Sequence, residues 1–240
     1  ASTGRYLESA DVADLIADER TSEIDALTAT TVAEIRDAVH TLERGLLDHV
    51  EGKALNDLRS RVRRSEAWTG FRAALAAILE RSARRGASSA AALHSTIGLD
   101  AEIDYDKLTQ DIVYRKGGVN QIVNNFRDVV AKNLATTLKE GGDRKELEAA
   151  IRASMDTWRD GHAETVAMTE AVHAFNEATL AVAEANGATT VRVTDGHDDD
   201  EPCIQADGAT WEIPFAREHR LEHPRCRRAF LPILPVASTA

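Results

Sequence analysis

Apolar residues recur at helical spacing along most of the chain. Over residues 22–50, Ile24, Leu27, Ile35, Ala38, Val39, Leu42 and Leu46 share one stripe, with Glu, Asp, Arg and Thr on the opposite face. Ser22, with Asp25 three residues on, is placed to start that helix. At the α-helical rise it would be about 40 Å long. Such a stripe reads as a bundle arm, and it is too short to favour a coiled coil. Residues 10–17 read as a separate short helix. Downstream, Trp68, Phe71, Leu75, Ile78 and Leu79 repeat at the same spacing and read as core. Arg84 and Arg85 close this helix favourably against its dipole. Residues 86–89 then read as a loop, 90–94 as a short helical piece and 97–106 as a connection.

The second half repeats the pattern. Residues 105–114 predict a helix that Gly117-Gly118 breaks. Ile122, Val123, Phe126, Val129, Val130 and Leu134 mark the next helix, which ends at Gly141-Gly142. Asp143 and Glu146 have the spacing of a capping box for the helix after it. Gly161-His162 reads as a separator before a last helix over 163–185. Its apolar stripe is Met168, Val172, Phe175, Thr179 and Val182. Thr169, His173 and Asn176 form a polar stripe at offsets of four and seven, which suits either a buried hydrogen-bond network or a solvated face.

Helical periodicity stops after residue 185. Residues 191–194 are rich in β-branched residues and read as a strand, Asp207-Gly208 as a turn, and Thr210-Trp211-Glu212-Ile213 as a second strand with Trp211 as the local core residue. A helical turn carrying His219 and His223 follows, interrupted by Pro224. The fold class is therefore mainly α, long helices with a small C-terminal β-hairpin knuckle (α+β). Aromatic residues at 5% and abundant alanine suit long helices better than a broad sheet.

The knuckle holds both cysteines, in the order Cys203-x15-His219-x3-His223-x2-Cys226. Two thiolates and two imidazoles can close a tetrahedral zinc site, and one helical turn supplies the His-x3-His spacing. A disulfide between Cys203 and Cys226, or two buried reduced thiols, fits the same residues. His197 lies among Asp195, Asp198, Asp199 and Asp200, an acidic loop that is more simply solvated than a Ca²⁺ site.

Charge narrows the functional classes. A net charge of −11 opposes a general nucleic-acid binder. Arg59, Arg61, Arg63 and Arg64 are a basic cluster within that acidic chain. With no aromatic or glycine-rich context they read as a solvated helix face, and the sharper reading is contact with DNA or an acidic partner. No apolar run approaches the length that crosses a membrane, so no membrane partner is expected. Each candidate catalytic arrangement lacks a required part: His-Glu-x-x-His is absent, and a nuclease-like use of His197, His219 and His223 lacks a defined second metal ligand. The expectation is a chain that is not an enzyme.

Asp200-x2-Cys203-x3-Asp207-Gly208-x2-Trp211, followed by His223-Pro224-Arg225-Cys226-Arg227, resembles the C-terminal signature of the Mu F-like minor head proteins of tailed phages. That family carries Cys-x2-Cys, then Asp-Gly, then His-Pro-x-Cys-Arg. Upstream, Thr169-Glu170 and Asn176 sit where the family has Arg-Thr-Glu and a following Asn, with Met168 in place of the Arg. Asp200 stands where the family has its first cysteine, so a fourth ligand would be Asp200, His197 or His219. The resemblance covers residues 140–232, leaving 1–139 as a helical region and 233–240 as a tail. It implies a structural minor head protein in few copies, located in the virion, in the capsid interior near the portal, and acting in head assembly. Implied partners are the portal protein, the major capsid or scaffold protein, and packaged DNA; no cofactor is certain, and zinc is the candidate that the cysteine and histidine spacing offers. Glu170 would pair with Arg225 or Arg227. Two other classes stay open: a metal-dependent nuclease-like knuckle protein and a non-catalytic helical adaptor.

Overall fold

The structure is a computed structural model that describes residues 10–50, 57–195 and 201–234. The chain is mainly α-helical, with long helices and one small three-stranded antiparallel sheet. Helix α1 spans Ala10–Val50, α2 Leu58–Arg64, α3 Ala67–Thr96, α4 Tyr105–Val113, α5 Val119–Lys139, α6 Arg144–Thr157 and α7 Ala163–Ala185. Then come β1 (Thr190–Thr194), α8 (Glu201–Ala206), β2 (Thr210–Glu212), α9 (Ile213–Glu218) and β3 (Ala229–Ile233). Among the described residues no helix is long and apolar enough to cross a membrane.

The chain forms two compact units, each assembled from separated stretches. One comprises residues 1–29, 81–112 and 166–240; the other comprises 30–80 and 113–165.

The second unit is centred on aromatic rings. Phe126 stacks on Trp158 at 4.9 Å, and Trp68 meets Phe126 edge-on at 5.5 Å. The Trp68 indole donates to the Val62 carbonyl at 2.8 Å, tying the end of α2 to the start of α3. Asp143 and Glu146 make the capping box at the start of α6. Gly161 does not interrupt the chain as expected. Residues Trp158–His162 form a π-helical turn that leads directly into α7. Arg159 in that turn pairs with Glu43 at 2.5 Å.

In the first unit, α7 is wrapped by α1, α3 and α4. Ile24, Leu27, Ala83, Ala87, Ala90, Leu108 and Ile112 pack with Met168, Ala171, Val172 and Phe175. Two expected breaks are absent here. Residues 10–17 and 22–50 join in one helix, because nothing between Asp18 and Ser22 disfavours helix. Gly86 sits inside α3 and not in a loop. A Cβ there would lie 3.0 Å from Ala174 Cβ and 3.3 Å from a Leu27 methyl, so glycine here serves a close approach of helices and not a turn.

The sheet has the order β2-β1-β3, both pairs antiparallel. Val191 and Val193 point into a core with Leu180, Ala183, Ile213, Ala216 and Phe230, while Arg192 faces outward. Trp211 packs on the margin of this core. β3 is not expected from the sequence; it ends at Ile233, which pairs with Thr190, and Leu234 just beyond it packs against the core. Pro232 is tolerated because β3 is an edge strand. The remaining tail, 235–240, lies outside the described residues.

Candidate metal centre in the C-terminal knuckle

Cys203 enters from α8, a short helix where the sequence suggests an acidic loop. That helix separates β1 from β2, so the two strands pair without forming a tight hairpin. Asp207-Gly208 ends α8. Gly208 has φ +74°, the left-handed conformation favoured after a helix end. Its N–H donates to the Val193 carbonyl at 2.9 Å. The Asp207 carboxylate accepts from the Asp195 N–H at 2.8 Å, fixing the end of β1 against the turn.

His223 and Cys226 enter from the loop between α9 and β3. The Cys226 N–H donates to the His223 carbonyl at 3.2 Å, and Arg225 between them has φ +69°. Proline at the second position and positive φ at the third mark a type II turn. It is anchored from α7, where Thr169 Oγ1 accepts from the Arg225 N–H at 3.1 Å. The turn sets the His223 and Cys226 side chains together, facing Cys203.

The three ligand atoms lie within 4.8 Å of one another. Cys203 Sγ is 3.9 Å from Cys226 Sγ and 3.4 Å from His223 Nε2. Bond lengths to zinc and a tetrahedral angle require roughly 3.8 Å between two sulfurs and roughly 3.6 Å between sulfur and nitrogen. The residues therefore fit the ion. His223 Nδ1 lies 2.9 Å from the Pro224 carbonyl and donates to it, which makes Nε2 the acceptor nitrogen on the side facing Cys203. Both cysteines are fully buried as free thiols. Burial pushes the Cys226 thiol above its ordinary range, and backbone contacts at Glu222 and Arg228 work against that shift.

Charged side chains brace the cluster. Asp195 accepts from Arg228 Nε at 2.6 Å, with both side chains essentially inaccessible to solvent. Its other oxygen is 3.6 Å from Cys226 Sγ. Arg228 also donates to the His219 carbonyl at 2.8 Å and lies over the Trp211 ring at 4.9 Å. Asn176 Nδ2 donates to the carbonyls of Arg228 and Arg220 at 2.9 and 3.1 Å. Arg20 of α1 donates to the Arg228 carbonyl at 2.7 Å and to Asn176 Oδ1 at 3.3 Å. Burial lowers the Arg20 pKa to about 10, so it stays charged at neutral pH.

His219 is not among the gathered ligands. Helix α9 stops at Glu218, so His219 and His223 do not share one helical turn. The His219 ring instead stacks on Phe215 at 4.0 Å, with Nδ1 2.9 Å from the Phe215 carbonyl. Glu170 is buried on α7, Arg227 pairs with Asp25 at 3.1 Å, and Pro224 is exposed at the turn. His197 and Asp200 lie outside the described residues. Arg20 and Arg228 are not singled out by the sequence, and Asp195 enters there only as part of an acidic loop. The available signal was their position: Asp195 directly after a strand and Arg228 two residues after a ligand cysteine.

Comparison of the chain with protein-family models, curated proteins and solved structures finds no match in any of the three.

Proposed function

We propose that the protein is a structural component of a tailed-phage head, of the Mu F-like minor head type, with a knuckle cross-linked by one zinc ion. It acts in head assembly at or near the portal, inside the capsid, with the portal and the major capsid or scaffold protein as partners. The supporting observation is convergence. Thr169, Asn176, Asp207, Gly208, Cys203, His223 and Cys226, which carry the resemblance, are scattered over α7, α8 and two loops, yet they build one cluster. Each has a role there: Thr169 and Asn176 anchor the ligand loop, Asp207-Gly208 ends the helix bearing Cys203, and the other three are ligands. Zinc would be held by Cys203, His223 and Cys226, with water or a further side chain completing four-coordination. A small sheet region gains stability from such a cross-link in place of a larger core.

Two experiments test the two halves of this reading. Production with the portal, scaffold and major capsid proteins of the same genome should yield proheads that retain a few copies through gradient purification. Proheads of normal composition that never retain it would reject the head assignment. Elemental analysis of protein purified without chelator should give about one zinc per chain, lost in Cys203→Ser and in His223→Ala. Metal-free protein that also fails to take up added zinc would reject the cross-link.

A further inference from the structure

We infer that the groove between α2 and α5 binds the phosphate backbone of a nucleic acid without reading its sequence. The groove is a cavity of about 390 Å³ whose rim carries Arg59 and Arg63 from α2 and Lys132 and Lys139 from α5. Its single carboxylate is Asp128, which pairs with Arg63 at 3.0 Å. Four cations against one carboxylate leave a strongly positive strip on a chain of net charge −11. Neighbouring arginines are engaged: Arg61 pairs with Asp57, and Arg64 bonds Ser60. Among the described residues, the Arg59, Lys132 and Lys139 side chains make no ion pair.

The spacing suits a repeating polyanion. Arg59 and Arg63 are four residues apart, about 6 Å along one face of α2. Lys132 and Lys139 are seven apart, about 10.5 Å along one face of α5, the axial span of roughly three phosphates of one strand. The floor is Ala131 and Ala135, and no aromatic ring lines the groove, so bases have no stacking platform. Contact would therefore be with phosphates alone, which position a nucleic acid but do not specify sequence. An acidic peptide would also want pockets for its apolar side chains, and the two alanines supply none. Repulsion from the rest of the chain limits affinity, but it is screened beyond about 10 Å at 0.1 M salt. This inference does not depend on the phage reading.

The test is fluorescence anisotropy with the full chain and a labelled random-sequence 30-base-pair DNA, titrated at several salt concentrations. The decisive comparison is Arg59→Ser/Lys132→Ser against Lys116→Ser/Lys145→Ser, which removes the same charge from exposed lysines outside the groove. The groove variant should bind at least about tenfold more weakly at 50 mM salt, with the slope of log affinity against log salt reduced by about 2. The control variant should stay within about twofold of the parent, and a scrambled duplex should bind equally well. Absence of binding by the parent at tens of micromolar would overturn the proposal. So would equal losses in both variants, or displacement of DNA by poly-glutamate at the same charge concentration, which would indicate an acidic-protein site. Circular dichroism of both variants separates lost binding from lost fold.

Discussion

Arg228 shows how far a residue's role can depart from its type. An arginine near the end of an acidic chain reads as solvated, yet this one is fully buried against Asp195 and Trp211. Truncating it strands a buried carboxylate beside the Cys226 thiol. Arg228→Ala should therefore lower stability in urea unfolding by about 3–5 kcal/mol. Asp195→Asn/Arg228→Met, which removes both charges, should cost clearly less than the sum of its single changes. A loss below about 1 kcal/mol for Arg228→Ala would show that the pair does not brace the knuckle. His94 offers a second test at this scale. It is buried in α3 with Nδ1 2.8 Å from the Ala90 carbonyl, and Nε2 has no hydrogen-bond partner. Burial pulls its pKa below the ordinary value, and the bond to Ala90 only partly offsets this. A depressed histidine contributes stability that is present above the unfolded pKa of about 6.5 and is lost as pH falls through it. Stability should thus decline from pH 7 towards 5, by at most about 1.4 kcal/mol per pH unit from this one proton. His94→Leu should remove that part of the slope with little cost at pH 7, since the unpartnered nitrogen goes with it. An unchanged slope in the variant would assign the acid sensitivity to other groups.

Helices were legible in the sequence as stripes, and their interruptions were not. The stripe and capping box of α5 and α6 follow from local residues alone, and the structure reproduces them except at Val129, which is exposed. Gly86 and Gly161 read as breaks because glycine is a poor helix former, yet both lie within continuous helical backbone; a side chain at Gly161 would meet nothing within 4 Å, whereas Gly86 lies in a close approach. At Gly86 a methyl group already presses Ala174 and Leu27. Gly86→Leu should accordingly cost more than about 2 kcal/mol by overpacking, even though leucine is the better helix former. The opposite result, a stabilised Gly86→Leu, would mean that α3 and α7 separate readily. β3 was missed for a related reason. Its Pro232 argues against a strand locally, and only its place on the sheet edge makes it acceptable. His219 failed as a ligand because the His-x3-His spacing presumes a helix through residues 219–223, and α9 ends before it, at Glu218.

At the scale of the molecule, the knuckle is not an appendage on the helices. Arg20 from α1, Thr169 and Asn176 from α7, and the Asp195 carboxylate at the end of β1 all converge on the loop that carries His223 and Cys226. The candidate ligands Cys203, His223 and Cys226 were legible because cysteine and histidine at metal spacing are chemically distinctive. The bracing residues were not, because their partners lie far off in sequence and charged side chains default to solvent. This connectivity predicts how the effect of zinc should spread. If the ion only joined three side chains, slowed hydrogen exchange would stop at residues 201–206 and 219–230. Because the loop carbonyls are held by Asn176 and Arg20, zinc should also slow exchange at amides of β1, of α7 near Thr169 and Asn176, and of α1 near Arg20. Asn176→Ala should confine the protection to the knuckle while leaving about one zinc per chain. Protection that spreads just as far in Asn176→Ala would show that the link between metal and helices runs through other contacts.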